Sequence, residues 1–276
     1  MSNPFFRPYE GEFFLEWGFG YKRELFSAAI PALSSSQKTL SKEVASTLSL
    51  SYGITESWAL GVMGKYMIDQ NYSVMQSGIA FAGNPGVAEH NRGFYDAALM
   101  MSFRFLGTRT EEWFANLDLA FFPGIKDKNN FRFTVPNDQY LGVLMLGKDF
   151  EDYALGLLST AQYFAPSALD TENRKNNQFL IVSQVFIQGK LDLFYTRLAG
   201  GAAKFLDRAS NDSPVKEKFL PVAQAEIGIA FDEKTALGAR LVYVGGVRGE
   251  TRAGNFDVSV AIEPMWQGSL TIMTAF

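Results

Sequence analysis

The chain has no cysteine and one histidine, His90, in 276 residues. Without thiols there is no disulfide framework, no thiolate metal site, no iron–sulfur cluster and no cysteine nucleophile. A single imidazole excludes every multi-histidine metal motif as well. Long apolar runs are also missing. No stretch approaches the ~18 consecutive apolar residues of a membrane-spanning helix, and even Gly78 to Gly83 or Ala97 to Phe103 is soon broken by polar groups. Nor is there an excess of positive charge: 25 Lys and Arg face 29 Asp and Glu, a formal charge of −4. That balance does not suit a phosphate-neutralising surface, so no nucleic-acid partner is expected. The opening residues, Met1 to Tyr9, lack a basic stretch followed by an apolar one. Any export signal is therefore expected to have been removed.

What the chain does have is 47% hydrophobic against 20% charged residues, arranged with a period of two. In Phe13 to Leu25 the odd positions Phe13, Leu15, Trp17, Phe19 and Tyr21 are apolar, while Glu16, Gly18, Gly20 and Lys22 fill the even ones. Leu48, Leu50, Tyr52 and Ile54 alternate with Thr47, Ser49, Ser51 and Gly53, and Trp58, Leu60, Val62 and Tyr66 with Ala59, Gly61 and Lys65. Tyr95, Leu99, Met101, Phe103 and Phe105 oppose Asp96, Ser102 and Arg104; Trp113, Leu117, Leu119 and Phe121 oppose Asn116 and Asp118. Seven more segments follow, near 140–150, 153–164, 179–187, 191–198, 219–231, 235–244 and 256–276, for a total of twelve. Because the apolar parity of 256–276 does not slip at Gln267-Gly268, that stretch reads as one long strand.

The connections alternate in length. Short ones fall at 55–57, 107–112, 151–152, 188–190 and 232–234; long polar ones fall at about 27–43, 69–92, 124–139, 165–177, 199–218 and 245–255. Aromatic residues collect at both ends of the apolar face, with Tyr52, Trp58, Phe105, Trp113, Tyr153 and Phe231 beside the short turns. Tyr21, Tyr66, Tyr95, Phe121, Tyr140, Tyr163, Phe179 and Phe219 stand beside the long loops. A soluble sandwich or barrel shares the period but has no reason to carry two aromatic girdles or short turns on one rim. The fold expected is an all-β, twelve-stranded, antiparallel up-and-down transmembrane β-barrel. Residues 1–11 form a periplasmic segment and 12–276 the barrel, and the even strand count puts both termini on one rim.

With the apolar parity outward, the pore-lining set is Glu16, Lys65, Asp96, Arg104, Asp118, Gln184, Asp192, Glu226, Arg240 and Glu263, together with Asn116, Gln162 and Gln224. Mixed signs argue against strong ion selectivity. Around the three-residue turn 232–234, paired residues must sum to 466, which sets Glu226 opposite Arg240 and predicts an inward ion pair. Met63, Met100, Phe114, Leu158, Val182, Phe186, Phe194, Val222 and Val242 are expected inside as well. Such a lumen is greasier than a water channel requires.

The terminal Phe276, after Leu270, Ile272 and Thr274, resembles the C-terminal strand signature of Gram-negative outer-membrane proteins. Leu50-Ser-Tyr-Gly-Ile-Thr-Glu-Ser-Trp-Ala-Leu-Gly61, Gly93-Phe-Tyr-Asp96 and Phe121-Phe-Pro-Gly124 resemble motifs of the transporter family named for the meta-pathway of phenol degradation. That family opens a strand with Gly-x-Gly-Asp and ends one with Pro-Thr-Gly; here Tyr95 replaces the second glycine and no threonine follows Pro123. The resemblance covers about a quarter of the chain. It implies an outer-membrane barrel linked to small, often aromatic molecules. Ala59-Leu-Gly61, Ala154-Leu-Gly156 and Ala236-Leu-Gly238 also echo one another, each just after a short turn.

Two other functions compete. A barrel lipid hydrolase needs a serine beside a histidine base, whereas His90 sits in 83–93 with no serine beside it in an alternating strand, so no enzyme is expected. Asp170 to Asn173 and Asn211-Asp212 lack calcium-loop spacing, so no metal site is expected. A barrel anchor would use its long loops, and 69–92 and 199–218 hold enough apolar residues to fold inward as a partial plug. The reading is a bacterial outer-membrane channel for passive diffusion of small solutes, hydrophobic and aromatic ones among them. It needs no cofactor, has outer-membrane lipid and the solute as partners, and is compatible with an oligomer without requiring one.

Overall fold

A computed structural model describes residues 8–77, 89–106, 112–123, 138–150, 152–165, 178–207, 219–232, 234–253 and 256–276. The strands are β1 (Phe13–Ile30), β2 (Ser35–Thr55), β3 (Trp58–Ser77), β4 (Glu89–Leu106), β5 (Trp113–Phe122), β6 (Gln139–Asp149) and β7 (Tyr153–Phe164). They continue with β8 (Gln178–Leu191), β9 (Phe194–Asp207), β10 (Phe219–Ala230), β11 (Thr235–Val244), β12 (Val247–Ala253), β13 (Phe256–Ile262) and β14 (Met265–Ala275). Each pairs antiparallel with its sequence neighbour from β1 to β11. The ring closes because β1 bonds β2 on one side and β14 on the other.

Fourteen segments make twelve staves. β12 continues β11 past Gly245-Gly246, and β13 runs into β14 past Glu263-Pro264; partners along this composite hairpin sum to 509 on both sides of the breaks. Against β1 the sum changes from 288 to 289, so Glu263, Pro264 and Met265 face Glu24 and Leu25 as a β-bulge. Pro264 has no amide to give the ladder, and that is where the long C-terminal strand bends. The break lies at 263–264 and not at Gln267-Gly268, both of which pair within β14. The first and last strands meet on the short-turn rim, where Phe13 and Phe276 exchange two backbone hydrogen bonds of 2.9 Å.

The period-two pattern decides the faces. On β10, Leu220, Val222, Gln224, Gly228 and Ala230 are buried and Phe219, Ala223, Ala225 and Ile227 exposed; on β14, Trp266, Leu270 and Ile272 point out and Met273 in. Tyr52, Trp58, Phe105, Trp113, Tyr153 and Phe231 are exposed around the short-turn rim, and Tyr21, Tyr66, Tyr140 and Phe219 around the other. The side chain of Tyr95 lies outside the described residues. Its backbone is skipped by the ladder, which jumps from Lys65↔Asp96 to Tyr66↔Phe94, and exposed Phe94 takes the outward place.

Several strands run well past the segments that the periodicity marks out. β1 and β2 stay paired from Phe13↔Tyr52 to Ile30↔Ser35, with only the 3-10 turn Pro31–Leu33 and Ser34 (φ 47) between them. Much of the loop expected at 27–43 is therefore hairpin, as are 69–77, 89–92, 199–207 and most of 245–255. Beyond the bilayer both faces of a strand meet water, so apolar alternation fades while backbone pairing continues. The plug expected from 69–92 and 199–218 now concerns 78–88 and 208–218, which lie outside the described residues, as do 170–173 and 211–212.

Val185 sits mid-strand on β8 and is 66% exposed. In water, a charge at so open a site changes stability by at most about 0.5 kcal/mol. On a lipid-facing strand near the midplane, V185R costs ~2–4 kcal/mol, to be measured by urea unfolding of the chain in phospholipid vesicles.

Candidate functional site

The inner face is packed next to the short turns. Small residues there are filled by rings from the adjacent strand. Phe186, paired with Gly156, lies 2.7 Å from where a Cβ on that glycine would stand, and Tyr195 lies across both Gly228 and Gly238. A ring laid along the wall leaves the axis freer than one standing inward. This gives a packing reason for two of the three Ala-Leu-Gly echoes, at Gly156 and Gly238. The rings join buried groups: Phe14, Tyr195, Ala236 and Met273 near the short-turn rim, and Val143, Met145, Leu158 and Phe186 alongside. Higher up, Leu220, Val222 and Val247 form a third.

Charged groups face this apolar lining largely in compensated sets. Glu226 pairs across the ladder with Arg240 on β11, at the register sum of 466, and with Arg197 on β9. Its direct ion pair is with Arg197, whose Nη2 donates to Glu226 Oε2. Arg240 stands in the electrostatic reach of Glu226, Arg197, Glu16 and Tyr195. The expected Glu226–Arg240 pair is thus half of a wider cluster, with the salt bridge made to the other neighbour. Elsewhere Lys65 Nζ lies 2.5 Å from Glu43 Oε1, while the Lys65 backbone pairs with Asp96. Gln162 Nε2 donates to Gln139 Oε1 at 3.1 Å. Gln184 is buried among the inward residues of β8, and Glu263 sits at the bulge near the outer rim, 3.7 Å from Arg248.

Asp192 and Phe194 do not line the pore. β8 runs to Leu191, and Asp192 and Leu193 form a two-residue turn with Asp192 at φ 50. Leu191 then pairs with Phe194, an odd sum that reverses parity across the turn. Phe194 is consequently outside, while Tyr195 and Arg197 are inside and almost fully buried. One sequence signal could have placed Arg197 inward: on the lipid side an arginine costs ~2–4 kcal/mol, so the parity exposing Leu198 and hiding Arg197 is the favourable one.

Residues 8–12 lie against the inner wall. Gly11, at φ 80, turns the segment, and its amide donates to Gly53 O at 2.8 Å while Gly53 N donates to Glu12 O at 3.0 Å. Gly53 has no side chain, which admits the Tyr9 backbone where a Cβ would stand. Pro8 is buried, and the Arg104 guanidinium lies 5.1 Å from the Tyr9 ring centroid, a cation–π contact. Beside this segment a cavity of about 160 Å³ remains between β1 and β6, lined by Glu16, Ser49, Met63, Met100, Asp118 and Val143 among others. Among the described residues no group of three His, Asp or Glu could hold a metal. His90 lies on β4 opposite Asn71 rather than in a loop.

Comparison with solved structures places the fold. The chain is similar to the COG4313 outer membrane channel from Pseudomonas putida F1, at a TM-score of 0.61 and 12% identity, covering 100% of this chain and 99% of that one. Weaker likenesses are to the NanC porin (0.48, 8%, covering 91% and 98%) and to the P. putida toluene transporter TodX (0.48, 11%, covering 100% and 93%). No protein-family model and no curated protein matches the chain. The fold is that of a bacterial outer-membrane β-barrel.

The Arg197–Glu226 pair is almost fully buried. E226A leaves a buried guanidinium without its partner and is expected to cost ~3–5 kcal/mol, whereas the double change R197M/E226L costs much less. Urea unfolding of both variants checks this; equal costs would contradict it.

Proposed function

We propose that the chain is a passive outer-membrane channel for small solutes, hydrophobic and aromatic molecules among them. The observation that carries this reading is the lumen itself. Its charges include the opposed sets Lys65 with Glu43 and Arg197 with Glu226, and much of the wall between them is apolar, interspersed with buried amides such as Gln184 and Gln224. Opposed charges leave little net field along the axis, so such a passage favours neither sign of inorganic ion strongly. Apolar walls lower the cost of taking a greasy solute out of water. No cofactor enters this process. The fold shared with a protein described as an outer membrane channel supports the reading, as does the motif resemblance to the phenol-pathway transporters.

Glu16, Lys65, Asp96, Arg104, Asp118, Gln184, Glu226, Arg240 and Glu263 remain the proposed lining, with Arg197, Tyr195 and Glu43 added. A lipid hydrolase is the less favoured reading, because His90 has no serine beside it in an alternating strand of the sequence.

Pro8 and Tyr9 stand against the inner wall and occupy part of the passage. In planar bilayers the whole chain is expected to give small conductance steps, and a chain starting at Glu12 larger ones. In a tenfold KCl gradient the reversal potential should stay well below the ~59 mV of an ideally selective pore for one-charge ions. Silence from both chains would contradict the channel.

A further inference from the structure

Above the upper aromatic girdle the hairpin of β1 and β2 sorts its charges by face. Its acids, Glu24 and Glu43, stand at inward positions and are taken up by Lys22 and Lys65. Arg23, Lys42 and Lys38 stand at outward positions and are exposed. In the ladder Arg23 is the direct partner of Lys42, Leu25 of Leu40 and Ser27 of Lys38. The outward positions of this hairpin above Tyr21 therefore hold three cations and no carboxylate. Among the described residues none of the three cations has an ion pair or a side-chain hydrogen bond. Carboxylates of the adjoining strands have contacts of their own: Asp69, opposite Val44 on β3, and Glu263, 3.7 Å from Arg248. Like charges directly opposite each other in a ladder are destabilising, a cost that an anion between Arg23 and Lys42 relieves.

We infer that this outward face binds a phosphate-bearing lipid of the outer leaflet, with Arg23 and Lys42 on one phosphate and Lys38 on an anionic group farther out. Height puts the pair at the lipid headgroups. Arg23 and Lys42 each stand ten residues from the lower-rim pair Phe13↔Tyr52. At ~3.3 Å per residue and ~40° of tilt that is roughly 25 Å along the axis, the height of the apolar band of such barrels. Tyr21, one outward position below Arg23, and Trp266, its ladder partner on β14, are exposed aromatic residues of the kind that mark this boundary. A guanidinium presents a planar fork to phosphate oxygens and an ammonium a compact point charge, so the two suit one phosphate together. Leu25, Leu40 and Val44 on the same face offer apolar surface to their aliphatic stems. The long-loop rim is the extracellular one, which makes the lipid one of the outer leaflet. Lys38 lies ~13 Å along the strand beyond Lys42, so the face suits a lipid with several anionic groups better than one with a single phosphate. The inference needs the barrel in its membrane and does not depend on conduction.

The test is native mass spectrometry of the detergent-purified full chain, titrated with diphosphoryl lipid A, with the same lipid stripped of its phosphates, and with inorganic phosphate. The diphosphoryl form is expected to bind, and the stripped form and free phosphate far more weakly. R23Q and K42Q should each raise the Kd for the diphosphoryl form about fivefold, roughly 1 kcal/mol per charge, and R23Q/K42Q about thirtyfold. K22Q removes a cation at the same height from the other face and should leave that Kd unchanged. Equal binding of the stripped lipid, an unchanged Kd in R23Q/K42Q, or an equal weakening by K22Q overturns the inference. Equal occupancy by inorganic phosphate also overturns it, by assigning the face to a free anion. So does a lipid-free dimer that R23Q/K42Q dissociates, which would assign the face to a second copy. Should the double variant fail to fold, K42Q and K38Q carry the comparison singly.

Discussion

Hydrocarbon offers no hydrogen bonds, so a sheet immersed in it must satisfy both edges of every strand within itself. Here that constraint falls on β1. Its lower half pairs with β14 over ten residues, from Phe14↔Ala275 to Arg23↔Trp266, while its other edge pairs with β2 over its whole length. Once the first and last strands are joined, outside and inside become separate solvents, and each residue's parity assigns it to one of them. Apolar side chains can then remain at the outer surface without a core to cover them. Leu241 and Leu270 are exposed on the outer face, where the partner of an apolar side chain is lipid.

The same closure produces the interior. Twelve staves enclose more space than their own inward side chains fill, so the wall is finished by other means. Tyr195 and Phe186 fold over glycines near the short turns, and residues 8–12 lean on Gly53. Burying Arg197 in this region is tolerable because Glu226 receives its Nη2. Removing two ions from water is expensive, and their mutual attraction offsets that cost only when both stay in place.

Much of this could be read from the chain alone, and the reason is geometric. A side-chain period of two is a local property, so Phe13 to Tyr21 or Ile227 to Phe231 declares its face without any tertiary information. The sum of 466 for β10 and β11 followed from parity and turn length, and Glu226 does oppose Arg240. What escaped depended on distant partners or unusual turns. The tight turn at Asp192-Leu193 reversed the parity of β9 and hid Arg197, which in turn hid the salt bridge that Glu226 makes. Strand extensions above the membrane carry no apolar alternation, so β1, β2 and β3 appeared shorter than they are. The placement of Pro8 and Tyr9 against Gly53 and Arg104 is a long-range contact with no periodic signature.

The four tryptophans of the chain, Trp17, Trp58, Trp113 and Trp266, all stand on the outer face and are all substantially exposed. Their indole fluorescence reports directly on which medium touches that face. In vesicles of brominated phospholipid, the account predicts strong quenching of this emission and little effect of aqueous acrylamide. Efficient quenching by acrylamide, with emission unaffected by brominated acyl chains, would mean that water bathes the apolar side of the sheet and would contradict a transmembrane barrel.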